Sequence, residues 1–164
     1  MLSLPLTDSG RYTATGRCVL GGQTQGLEAR FRVLRQNSQL RVDGYTQVPG
    51  NDGAPGAQHD FRLRLRFATS ILAGGRFEYS DARFKQLSGT LAWAHDGYMM
   101  AGHSYAPNVS VSIFLKPEAA QNHYALRGLY SPALGEPFAF ALAIAPFDPR
   151  VPRRVGEQME QASS

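Results

Sequence analysis

The chain has 164 residues, of which 43% are hydrophobic and 18% are charged, and its formal net charge is +4. This composition excludes a wholly disordered chain, and the length suits one folded domain better than two. No apolar run reaches the roughly 18 residues of a membrane-spanning helix, and the single cysteine, Cys18, excludes an intramolecular disulfide. Fifteen of the seventeen cations are arginine, which fits either an anion-binding surface or a GC-rich bacterial genome.

The beginning of the chain predicts a series of strands joined by tight turns. Apolar and polar residues alternate over residues 11–20, 27–34 and 39–48, as expected of strands with one buried face. Gly21-Gly22 and Gln36-Asn37-Ser38 separate these segments and predict hairpin turns. Residues 49–58 are rich in proline and glycine, so they predict a long loop.

The strongest strand pattern lies at residues 61–67, where apolar residues and arginines alternate without a break. On an extended strand, one set of side chains is buried while Arg62, Arg64 and Arg66 project into water. A helix would distribute the same residues around its whole circumference. This segment therefore predicts a strand whose outer face is basic.

The second half of the chain continues the strand pattern. Residues 77–80 and 83–94 predict a short and a longer strand, the latter with an irregularity near Ser88-Gly89. Asp96-Gly97 predicts a type I′ turn that would place His95 opposite Tyr98 and His103 opposite Thr90. The remaining expectations, in chain order, are a strand at 109–115, at most one helical turn at 118–122, and strands at 123–130 and 138–145.

Together these segments predict an all-β fold, namely a single-domain antiparallel β-sandwich or flattened β-barrel of about nine to ten strands. Periodicity alone does not separate the two, because both architectures bury one face of every strand. The domain is expected to cover residues 1–149, and residues 150–164 form a short polar tail that is partly helical or disordered. Residues 1–6 lack the pattern of a secretory signal, so the default expectation is a cytoplasmic protein, and a secreted one remains open.

Motifs for catalysis, cofactors or metals do not stand out. The sequence contains no glycine-rich phosphate-binding motif and no GxSxG motif, and its carboxylates are scattered over separate segments. The predicted hairpin does not bring His95 and His103 together, so we predict no metal site, no cofactor and no catalytic residue.

Two groups of residues are candidate ligand-binding sites. The first is the row Arg62, Arg64 and Arg66, which could join Arg30 and Arg32 in one basic face if their strands share a sheet. Such a face would bind phosphates, although nucleic-acid surfaces usually intersperse aromatic residues among the cations, and here the aromatics lie on the opposite side.

The second candidate is an aromatic group predicted around the Asp96-Gly97 turn, consisting of Trp93, His95, Tyr98 and Tyr105. Aromatic side chains with polar tips bind sugars and other flat ligands well, so this group could form the rim of a site. The alternative is that Trp93 and its neighbours are cross-strand pairs of the core.

The segment between Phe138 and Ala145 alternates large apolar residues with four alanines. Its small, apolar outer face suits a contact with a loop, the tail or a partner chain, so we expect a possible homo-oligomer through this strand.

The sequence favours a non-enzymatic binding or interaction domain that recognises a ligand, a glycan or a protein partner through loops and the basic sheet face. The alternative is a small β-barrel enzyme, of the cyclase or isomerase type, that shapes an apolar substrate in the barrel interior. A nucleic-acid partner ranks third.

Overall fold

The structure is a computed structural model that describes residues 10–48, 56–67, 74–84, 86–94 and 96–148. Within these ranges all regular elements are strands, which confirms the predicted all-β class. No helix among the described residues is long and apolar enough to cross a membrane. The ten strands are β1 (Gly10–Leu20), β2 (Gln23–Gln36), β3 (Gln39–Gln47), β4 (Gln58–Phe67), β5 (Gly75–Asp81), β6 (Leu87–Ala94), β7 (Gly97–Tyr105), β8 (Asn108–Pro117), β9 (Tyr124–Pro132) and β10 (Phe138–Pro146).

The strands form one closed antiparallel barrel rather than a sandwich. Each strand pairs with its neighbour in sequence, and β1 pairs with β10 to close the circle. Short links favour this order, because a two-residue turn leaves the next strand nowhere to pair except beside the previous one. The turn between β1 and β2 consists of Gly21 and Gly22, whose φ angles of 60° and 75° suit glycine.

The strand predicted at residues 83–94 begins later than expected. β6 starts at Leu87, because the Asp81 carboxylate accepts hydrogen bonds from the backbone N–H groups of Arg83 and Phe84 and holds them in a turn. The expected irregularity near Ser88-Gly89 is also wrong. Pairing with β7 continues through this point, with Ser88 opposite His103 and Gly89 opposite Gly102.

The hairpin between β6 and β7 has a different register from the predicted one. Ala94 pairs with Gly97 and Trp93 pairs with Tyr98, so Gly97 is already part of the strand. The reason is that Asp96 itself adopts a positive φ of 69°. It is the last residue of the connection, directly before Gly97 of β7. His103 therefore lies opposite Ser88 and not Thr90.

Three other expectations concern connections. The segment 118–122 forms no helical turn, since hydrogen bonds from Glu118 N to His123 O and from His123 N to Ala120 O close a tight turn instead. The predicted loop at 49–58 lies mostly outside the described residues, and its last residue, Gln58, already belongs to β4. The predicted tail at 150–164 lies wholly outside them.

Packing differs between the two ends of the barrel. One end is filled by large side chains, among which Tyr98 contacts Trp93 and Phe67 with ring-centroid distances of 4.9 and 6.4 Å. Eight strands enclose just enough space for their own side chains, and ten strands enclose more. Midway along β1 and β2, the inward positions include the small residues Ala14 and Ala29, which lie opposite each other. The interior there is left partly open.

Candidate ligand-binding site

The barrel encloses a cavity of about 370 Å³. This volume lies near the lower end of the roughly 300–1,000 Å³ that is usual for small-molecule sites. Its walls are mainly apolar and come from most of the strands, including Ala14, Ala29, Leu63, Phe77, Ile113 and Leu142. An apolar chamber of this size suits a small hydrophobic molecule.

The cavity reaches the surface at one end of the barrel. Among the residues that line it, Leu20, Gln25, His59 and Arg83 are exposed, and all four lie at or next to strand ends on the same side. We call these four residues the mouth. At the opposite end, Tyr98 and the cavity-lining residues Leu65 and Leu115 are buried. Among the described residues these large side chains, which we call the plug, close that end, so a ligand would enter past the mouth.

Asp81 organises the polar groups beside the mouth. Its Oδ1 accepts hydrogen bonds from the backbone N–H groups of Arg83 and Phe84 at 2.7 and 2.8 Å. Its Oδ2 accepts one from the Tyr79 hydroxyl at 2.8 Å and one from the Arg83 Nη2 at 3.3 Å. The Asp81 side chain is only 4% exposed. Four donors therefore occupy this carboxylate, and its main effect is to fix the Arg83 loop over the cavity.

Tyr130 faces the cavity next to this cluster. Its ring stacks on Phe84 with a centroid distance of 5.7 Å and an interplanar angle of 3°, and it also contacts Phe138 and Phe140. Its hydroxyl makes no hydrogen bond with any residue of the described ranges. Burial raises the pKa of Tyr130 to about 12, so at neutral pH this hydroxyl is a protonated donor with no acceptor among the described residues.

Buried tyrosines make the stability of the fold depend on alkaline pH. Burial raises the pKa of both Tyr98 and Tyr130 to about 12, whereas an unfolded tyrosine titrates near pH 10. The folded state then holds more protons between these values, so the free energy of unfolding is expected to fall as pH rises from about 10 to 12. Urea titrations from pH 8 to 12 measure this, and the fall should be smaller in Tyr130→Phe. An equal fall in both proteins would contradict the prediction for Tyr130.

Cys18 also lines the cavity. It is buried, and burial raises the pKa of its thiol, as expected of a small hydrophobic core residue rather than a nucleophile. Within the described ranges, no group of three His, Cys, Asp or Glu side chains is placed to hold a metal ion.

The structure divides the predicted aromatic group. Trp93 and Tyr98 contact each other, and Tyr98 is only 3% exposed within the plug at the closed end. Tyr105 lies at the other end of β7, about 23 Å away at the rise of an extended strand, where its ring contacts His103. His95 lies outside the described residues. Tyr98 and Tyr105 therefore do not form one rim.

The predicted arginine row does lie on the outside of the barrel. Arg62, Arg64 and Arg66 are all exposed on β4, and β3 separates this strand from the arginines of β2 in the same sheet. Asp43 partly neutralises the face, because its carboxylate lies 2.9 Å from Arg41 Nε and 3.6 Å from Arg62 Nε. The surface is basic, it does not contact the cavity, and ligand binding by it stays a prediction.

The outer face of β10 is as small and apolar as the sequence suggests. Ala141 and Ala143 are exposed, while Phe138, Phe140 and Leu142 line the cavity on the inner face. A homo-oligomer through this face stays a prediction.

Sequence reasoning missed the polar residues around the cavity, which are Tyr79, Asp81, Arg83 and Tyr130. One local signal was available. The side chain of an aspartate in a turn often accepts a hydrogen bond from the backbone N–H two residues further on, as Asp81 does from Arg83. Nothing in the spacing along the chain links Arg83, in the loop after β5, with Tyr130 on β9, and the barrel brings the two residues to the same cavity.

The fold and the site define an up-and-down β-barrel with an apolar internal chamber that is open at one end. No protein-family model matches the chain, and no curated protein is similar to it in sequence.

Proposed function

We propose that the protein binds a small apolar molecule inside the barrel. The observation that carries this proposal is the cavity of about 370 Å³, whose walls are mainly apolar and which lies open beside the mouth. Protein interiors are normally packed without voids of this size, and an unfilled cavity reduces stability. A ligand would restore the missing contacts and bury its own apolar surface, and both effects favour binding.

We keep the prediction of a binding domain and place its binding site in the barrel interior instead of on the outer surface. The sequence pointed to loops and the basic face of β4, and the exposed arginines of that face offer no enclosed apolar surface. The glycan and protein partners considered from the sequence have less support, because the chamber presents few polar groups to a ligand.

The barrel-enzyme alternative has weaker support from the same site. A cyclase or isomerase needs a group that exchanges protons with its substrate. The oxygens of Asp81 already accept four hydrogen bonds, so this carboxylate is poorly placed to act as a base. Among the described residues that line the cavity, the His59 imidazole is a candidate for that role.

The proposal is tested by titrating the purified protein with N-phenyl-1-naphthylamine, a neutral apolar dye whose fluorescence increases in an apolar environment. We expect saturable binding of one dye molecule per chain, with increased and blue-shifted emission. Protein unfolded in urea serves as the control and should give no saturable signal. A linear, unsaturable response of the folded protein would overturn the proposed function.

A further inference from the structure

The polar side chains beside the mouth indicate what kind of apolar molecule the cavity accepts. Arg83 and Tyr130 both line the cavity, and both are hydrogen-bond donors. Arg83 uses only Nη2 on Asp81 among the described contacts of its side-chain nitrogens, and Tyr130 uses its hydroxyl on none of the described residues. The cavity is therefore mainly apolar, and at one end it has donors that are not fully used by the described residues, namely the Tyr130 hydroxyl and the remaining nitrogens of Arg83.

Arg83 shares its carboxylate partner, Asp81, with three other hydrogen-bond donors. Asp81 holds four hydrogen bonds, and its side chain is almost fully buried, whereas the side chain of Arg83 is 59% exposed. Part of the guanidinium therefore remains accessible at the mouth. Its Cζ atom lies 5.3 Å from the centroid of the Phe84 ring. Phe84 in turn stacks on Tyr130, which keeps the two donors on the same side of the chamber.

Resting on the proposed function, we propose that the ligand is an amphiphile with one carboxylate, bound with its apolar part in the cavity and its carboxylate hydrogen-bonded to Arg83 and Tyr130. A guanidinium binds carboxylates through parallel N–H donors, and such charge-assisted bonds are roughly twice as strong as neutral ones. The Tyr130 hydroxyl completes the recognition because a carboxylate oxygen accepts more than one hydrogen bond.

The test compares decanoate with decanol, which share an alkyl chain and differ in the head group. Each competes with N-phenyl-1-naphthylamine at pH 8, where the carboxylic acid is ionised. We expect decanoate to bind about tenfold more tightly than decanol, the size of one charge-assisted hydrogen bond. Equal affinity of the two compounds would overturn the carboxylate proposal and leave the proposed function standing if the dye still binds.

Variants assign the preference to the two residues. Arg83→Gln should bring decanoate affinity down to that of decanol and leave decanol affinity unchanged. Tyr130→Phe keeps the ring that stacks on Phe84 and should weaken decanoate about fivefold, with little effect on decanol. Arg127→Gln removes the same charge from the exposed face of β9 and is the matched control, with no change expected.

The pattern of results separates recognition from a structural effect. If Arg83→Gln weakens decanoate and decanol equally, Arg83 only maintains the shape of the loop and the proposal is wrong. If Arg83→Gln fails to fold, Tyr130→Phe still decides, because a selective loss for decanoate supports the carboxylate site and an equal loss for both compounds opposes it. Absence of dye binding to the unmodified protein would instead reject the proposed function itself.

Discussion

Replacing Ala29 with tryptophan is expected to abolish binding of N-phenyl-1-naphthylamine while the barrel remains folded. Ala29 is buried on β2, lines the cavity and lies opposite Ala14 of β1. An indole at this position would occupy space that is now empty, so it needs little displacement of neighbouring core atoms. The expected loss of dye affinity is about a hundredfold or more, since the lost apolar contacts are worth several kcal/mol. Fluorescence titration measures it, and thermal unfolding confirms the fold.

The matched control is Ala143→Trp on β10. Ala143 is exposed on the outside of the barrel, so the same substitution adds the same side chain without entering the cavity. Dye affinity should then equal that of the unmodified protein. If Ala29→Trp folds and still binds the dye with unchanged affinity, the cavity is not the binding site, and the outer surfaces become the only candidates.

The second large effect is expected from Asp81→Ala, which should lower the free energy of unfolding by about 3 kcal/mol. The substitution removes the acceptor of four hydrogen bonds and leaves the Tyr79 hydroxyl and the Phe84 N–H without it in a largely buried region. A donor that is buried without an acceptor loses its hydrogen bonds to water and gains none within the protein. Urea denaturation followed by circular dichroism measures the change.

Asp60→Ala provides the comparison for this variant. Asp60 is an exposed aspartate of β4, and its removal should change the free energy of unfolding by no more than about 0.5 kcal/mol. Asp81→Ala should also weaken decanoate more than decanol, because the loop that carries Arg83 loses its anchor. A change below about 1 kcal/mol in Asp81→Ala would show that these hydrogen bonds contribute little to stability.

Local patterns predicted the strands well where one face is buried and the other is solvated. The alternation around Leu65 assigned every side chain of residues 61–67 to the correct side, because the period of two is a property of a single strand. The turn at Asp96-Gly97 was placed one residue too late, since aspartate also tolerates the left-handed conformation. Local sequence does not decide which of the two residues adopts it.

The cavity and its donors could not be derived in the same way. Whether inward side chains such as those of Ala14 and Phe140 pack against a facing side chain or leave a void depends on the number of strands and on barrel closure. Neither property is encoded in a single strand. Likewise, Arg83 and Tyr130 come from a loop and from β9, and their proximity exists only in the closed barrel. The sequence supplied the mixture of large and small inward residues, which allows a cavity without requiring one.

The pairing of β1 with β10 has a consequence for how the protein reaches its native state. Nine of the ten strand pairings among the described residues join neighbours in sequence, so closing each of them costs little chain entropy. Only the pairing that places Thr13 beside Ala145 is distant in sequence. A sheet that has not yet made this contact has inward side chains but no enclosed interior. The internal chamber is therefore completed by the pairing with the greatest separation in sequence, a type of contact that forms slowly, and a bound ligand would favour the closed state over every partly assembled one.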